Sequence, residues 1–127
     1  MSLLAEQPAS GQRRPWLGTS WKMNKTVKQA VDYARDLAQW AQTTGVDASV
    51  AILPSFTALA PVAGALLSLR TRVPVQVGAQ NMHWEDAGAY TGEISPVMVR
   101  DAGASLVEIG HFDRYKRRKR IAAAEQG

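Results

Sequence analysis

Four short apolar runs, separated by stretches of helical periodicity, constrain this chain more than any other feature. The runs are Trp16–Ser20, Ser49–Leu53, Val73–Gln80 and Ser105–Ile109. Each is strand-sized and rich in β-branched or apolar residues, and Pro54 stops the second. Between the first two, Val27, Ala30, Val31, Ala34, Leu37, Ala38 and Ala41 recur at helical spacing after a capping Thr26, and Gly45 closes the stretch. Ser55 opens a second helix, roughly Thr57–Leu69, with Pro61 near its first turn. Ser95-Pro96 is a cap followed by proline at the first helical position, which predicts a short helix to about Asp101 closed by Gly103. The residues from Asn81 to Thr91 read as a polar loop. The order is therefore β-α-β-α-β-α-β. Strands with little alternation are expected to be buried on both faces, as in a parallel sheet covered by helices. Pattern alone leaves two architectures open, an open α/β sheet and part of a barrel.

Composition removes several classes of function. The chain has 127 residues and no cysteine, which excludes disulfides and thiolate metal sites. No apolar run approaches the ~18 residues of a membrane span. The first fifteen residues lack a secretory h-region and read as a disordered lead. The net charge of +4 is uneven. Residues 1–111 hold nine Lys/Arg and nine Asp/Glu, whereas residues 112–127 hold six Lys/Arg and two acids. The basic character thus belongs to the tail, residues 112–127, and above all to Lys116–Arg120, KRRKR. A nucleic-acid role for that basic run is disfavoured, because no aromatic is interleaved in it beyond the adjoining Tyr115 and no binding fold accompanies it.

Ligands of parallel α/β folds bind at the carboxyl ends of the strands. Lys22 follows the first strand, Gln80 and Asn81 the third, and His111 the fourth. A lysine there offers fixed positive charge to a phosphate or oxyanion, and a histidine can donate a hydrogen bond or carry a proton near neutral pH. Solvated loop residues are the plainer alternative for both. A backbone-capping amide is the plainer alternative for Gln80.

The motifs WKMN (Trp21–Asn24), GAQN (Gly78–Asn81), TGEISP (Thr91–Pro96) and EIGH (Glu108–His111), in this order, resemble the triosephosphate isomerase family over about residues 16–111. The resemblance implies the N-terminal half of a (β/α)8 TIM barrel, four parallel strands with three intervening helices. It implies interconversion of dihydroxyacetone phosphate and glyceraldehyde 3-phosphate, within glycolysis and gluconeogenesis. No cofactor or metal, a homodimer and a cytoplasmic setting come with it. Lys22 matches the lysine that contacts substrate and stabilises negative charge. His111 matches the neutral histidine that polarises the carbonyl. Thr91 matches the threonine that reaches the neighbouring subunit's site, with Gln80 packed near its loop. Glu93 matches the glutamate paired with an arginine, here Arg114.

Three departures stand out. Ser20 replaces the asparagine usual before WKMN, and TSWKMNKT resembles a subgroup acting on erythrulose phosphate, an alternative substrate. Phe112 follows His111 where the family has serine, so the turn that keeps the histidine neutral is expected to be disturbed. The catalytic glutamate and the later phosphate-binding loops are not encoded. The 127-residue chain is therefore expected to be a truncated and inactive version, with a shifted reading frame after His111 accounting for the change in composition. A non-catalytic binding protein using the basic tail is the remaining alternative.

Overall fold

The protein is described by a computed structural model that covers residues 13–114 and 116. Its elements are β1 (Trp16–Ser20), α1 (Val27–Thr43), β2 (Ser49–Leu53), α2 (Phe56–Leu67), β3 (Val75–Ala79), α3 (Pro96–Asp101) and β4 (Leu106–Val107). The strands form one sheet in the order β1-β2-β3-β4, every pair parallel. This is the sequential winding of half a (β/α)8 barrel. The fourth strand is shorter than its sequence pattern predicts, with Gly78 and Ala79 facing Leu106 and Val107 in register.

Local chemistry sets the helix ends. Thr26 caps α1 through a full capping box: its hydroxyl accepts from the Gln29 N–H, and the Gln29 side chain accepts from the Thr26 N–H at 2.9 Å. Ser95 Oγ caps α3 by accepting from the Met98 N–H at 3.1 Å, with Pro96 at the first position. Ser55 precedes α2 as expected, but its hydroxyl meets Thr57 Oγ1 rather than a backbone N–H. Gly103 ends α3 at φ +97°, a region costly for other residues. A Cβ there would also sit 2.7 Å from the Ala63 methyl.

The core lies between the helices and the sheet. Ala30, Ala34, Ala38 and Ala41 form a fully buried alanine face on α1, which packs against α2. Small side chains let the two helices approach closely. Val62, Ala58 and Leu59 of α2 meet Ile52, Val77 and Ala79 of the sheet in the same cluster. β2 is buried along Val50–Leu53 as expected of an inner strand. β1 corrects that expectation, since Trp16 and Leu17 are 56% and 53% exposed. It is an edge strand with one neighbour, so its outer flank has no partner among the described residues. An apolar groove of about 500 Å³ runs there, between β1 and the Tyr33, Leu37 and Trp40 side of α1. A second cavity of about 480 Å³ flanks the opposite edge, beside β4 and α3.

The lead expected over residues 1–15 lies largely outside the described residues, but its end belongs to the fold. The Pro15 carbonyl accepts from the Ser49 N–H at 2.9 Å, and Arg14 pairs with Asp47 at 2.8 Å. The basic run Lys116–Arg120 lies outside the described residues except for Lys116, whose ammonium sits 4.7 Å from the Phe112 ring centre. No helix among the described residues is long and apolar enough to cross a membrane.

Candidate functional site

Ser20, Lys22, Met23, Gln80, Glu108, His111, Asp113 and Arg114 line one cavity of about 250 Å³. It lies at the carboxyl ends of β1, β3 and β4, where parallel α/β folds bind ligands. The structure thus brings together five of the side chains picked from the sequence: Ser20, Lys22, Gln80, His111 and Arg114.

Lys22 is held in an unusual backbone state, with φ +56°. For a residue with a Cβ this costs roughly 1–2 kcal/mol, so neighbours must impose it. The main restraint is Gln80. Its Nε2 donates to the Lys22 carbonyl at 3.0 Å and to the Leu53 carbonyl at 2.8 Å. Leu53 O also accepts from the Trp21 N–H at 3.0 Å, tying the exit of β1 to the end of β2. Farther along, Asn24 Nδ2 donates to the Trp21 carbonyl at 2.8 Å. Lys25, at φ +73°, places its ammonium 5.2 Å from the Trp21 ring and 5.3 Å from that of Tyr33. Gln80 therefore anchors the lysine loop through its side-chain amide. Two carbonyl acceptors at its tip require the amide nitrogen there.

His111 stands at the start of a helical turn that begins at Phe112. Its Nδ1 accepts from the Asp113 N–H at 3.2 Å, so the neutral ring carries its proton on Nε2. The imidazole thus caps the turn from the position before it, and the turn forms with Phe112 as its first residue. Asp113 joins the two candidate groups. One carboxylate oxygen lies 2.8 Å from Lys22 Nζ and 3.5 Å from His111 Nδ1. The hydrogen bond from Lys22, more than any other influence, holds the Asp113 carboxyl below its usual 3.8, against an opposing desolvation and with help from the nearby positive charges. The pair is half exposed, so water screens it.

The remaining sequence candidates lie elsewhere. Thr91 and Glu93 are exposed on the loop after β3 and do not line the cavity. Glu93 borders a separate pocket of about 50 Å³ with His83, Tyr90 and Ser95. The expected Glu93–Arg114 ion pair is not among the ion pairs of the described residues. The physical reason is that the two side chains face different cavities. His83, which the sequence reading passed over, is 8% exposed and stacks on Trp84 and Tyr90 with centroids 4.2 Å from each. Glu108 was also passed over as a site residue. Its position three residues before His111, just after a strand, was the available signal.

Half of a parallel βα barrel, with a cationic, proton-carrying cavity at its carboxyl face, is the class that fold and site define. A family model described as triosephosphate isomerase matches residues 15–124, and the chain belongs to that family. The match runs past His111 into the segment expected to diverge. The chain is 52% identical over 99 residues to L-erythrulose-1-phosphate isomerase of Mesorhizobium japonicum, covering 78% of this chain and 37% of that protein. It is 49% identical over 107 residues to the Mycolicibacterium smegmatis protein of the same name, covering 84% and 40%. Among solved structures, triosephosphate isomerase from Bartonella henselae superposes with a TM-score of 0.66 at 32% identity, over 80% of this chain and 40% of that one. The chain thus spans well under half the length of the relatives it matches.

Proposed function

We propose that this chain supplies the lysine and histidine side of a sugar-phosphate isomerase site, acting on a four-carbon ketose phosphate of the L-erythrulose 1-phosphate type. The carrying observation is the single cavity lined by Lys22, His111 and Asp113, with the Asp113 carboxylate 2.8 Å from the Lys22 ammonium and 3.5 Å from the imidazole. Isomerisation between neighbouring carbons removes a proton from the carbon beside a carbonyl, and the oxygen gains negative charge as it does so. His111 Nε2–H donates to that oxygen, and Lys22 stabilises the charge once a phosphate or enediolate displaces Asp113 from its ammonium. The names of relatives at 46–52% identity support the four-carbon substrate over the three-carbon one expected first. Ser20 at the cavity wall accords with that subgroup. A triose phosphate, the substrate type in the name of the structural neighbour at 32% identity, is the second reading.

The carbon base comes, on this reading, from outside the described residues. Of the two acids in the cavity, Asp113 is engaged with Lys22 and Glu108 lies beside His111. The described residues by themselves are therefore expected to bind substrate without turnover. Thr91, exposed on its loop, is proposed for contact with a second subunit. The test joins residues 1–114 to the complementary C-terminal part of the Mesorhizobium japonicum relative and assays both sugar phosphates. The expected result is turnover of L-erythrulose 1-phosphate, lost in Lys22→Ala and His111→Ala. Turnover indifferent to both substitutions would refute the assignment.

A further inference from the structure

Glu108 sits in the cavity without an assigned role. Its backbone N–H donates to the Ala79 carbonyl at 2.8 Å, which fixes it against the end of β3. Its side chain is 28% exposed, and the two carboxylate oxygens differ. Oε2 is shut away from solvent with no hydrogen-bond partner among the described residues. Oε1 lies 3.6 Å from His111 Nε2, too far for a good hydrogen bond. A carboxylate with one oxygen packed away has a fixed plane, and its other oxygen is a partly desolvated, strong acceptor.

The His111 tautomer supplies the matching donor. Nδ1 is occupied by the Asp113 N–H, so Nε2 presents its N–H. Donor Nε2–H and acceptor Oε1 therefore stand side by side on the cavity wall. An α-hydroxyketone offers the complementary pair, a carbonyl oxygen that accepts and a neighbouring hydroxyl that donates. The charges also impose a direction. Lys22 and Arg114 favour the phosphate end of a ligand, and the Glu108 carboxylate repels it.

We propose that Glu108 is a specificity-determining residue: its Oε1 accepts a hydrogen bond from the hydroxyl beside the carbonyl held by His111, selecting α-hydroxyketone phosphates and orienting them phosphate-outward. This deepens the functional reading above and rests on it. The probes are dihydroxyacetone phosphate and hydroxyacetone phosphate, which differ by that one hydroxyl. Their affinities for the full chain are measured by NMR titration.

The wild type is expected to prefer the hydroxylated ligand by about tenfold or more, the worth of a hydrogen bond to a charged acceptor. Glu108→Leu should bring the ratio close to one, and the near-isosteric Glu108→Gln should give an intermediate ratio. If Glu108→Leu does not fold, by circular dichroism, the Gln variant decides: a reduced ratio supports the proposal and an unchanged one overturns it. A wild type without preference, or an unchanged ratio in a folded Leu variant, overturns the Glu108 assignment alone, provided Lys22→Ala weakens both ligands. Failure of the wild type to bind either ligand, or binding indifferent to Lys22→Ala, overturns the isomerase-site reading and this inference with it.

Discussion

Replacing Gln80 tests how the fold builds the site. One amide group restrains two backbone carbonyls, that of Lys22 in the loop after β1 and that of Leu53 at the end of β2. Gln80→Ala removes both bonds. Water can replace the amide at the exposed Lys22 carbonyl, so little stability is lost there. The part-buried Leu53 carbonyl keeps only the Trp21 N–H, and losing one of its donors costs about 1 kcal/mol. The effect on binding should be proportionally larger. Lys22 stores roughly 1–2 kcal/mol of backbone strain at φ +56°, and without its tether the loop relaxes and the ammonium leaves the cavity. Urea unfolding should show a loss of about 1 kcal/mol or less, because relaxation of the Lys22 backbone returns part of its strain, and titration with dihydroxyacetone phosphate a fall in affinity of about tenfold. Gln80→Glu is the sharper variant, because a carboxylate would face two carbonyl oxygens with no proton to offer. It should be less stable than Gln80→Ala by about 1–3 kcal/mol at neutral pH. A Gln80→Glu protein as stable as the wild type, with unaltered ligand affinity, would refute the tether.

Other perturbations follow the same logic. Thr26→Ala breaks the capping box of α1 and should cost about 1 kcal/mol in urea unfolding, with Thr26→Ser restoring most of it. Gly103→Ala combines a left-handed backbone with a methyl 2.7 Å from the Ala63 methyl, so a loss of about 2 kcal/mol or more is expected in the same assay. Asp113→Asn frees the Lys22 ammonium and should tighten inorganic phosphate binding at pH 7 by about two- to fivefold, read by NMR titration. Because the folded-state pKa of Asp113 lies below its ordinary 3.8, the stability it contributes is present above that value. It is lost as pH falls further, through the depressed folded value. The stability difference between wild type and Asp113→Asn should therefore shrink when unfolding is followed downward from pH 3.8.

Much of this arrangement was legible in the sequence, because local signals and tertiary packing agree. The strand at Ser49–Leu53 and the start of α1 at Val27 stand where apolar run and cap place them. Lys22 and His111 were legible as well, since strand ends are where the topology gathers chemistry. The exposure of β1 could not be read from its apolar residues, because burial depends on neighbours on both sides and an edge strand has one. The partner of Gln80 was equally hidden: its contact with Lys22 spans 58 positions and depends on sheet register. Phe112 was expected to disturb the turn at His111. The histidine ring nitrogen accepts the helix N–H itself, a cap that depends on the ring's orientation and that residue types alone do not reveal.

The central claim is that Lys22 and His111 act on one ligand in one cavity. Its most direct test is NMR titration of the 127-residue chain with dihydroxyacetone phosphate, following the His111 imidazole nitrogens and the Lys22 ammonium. In the free chain the neutral form of the His111 ring should carry its proton on Nε2. The account predicts that both groups shift together along one saturable curve, and that Lys22→Ala abolishes the His111 response. A His111 signal indifferent to ligand, or two groups responding with unrelated affinities, would contradict it.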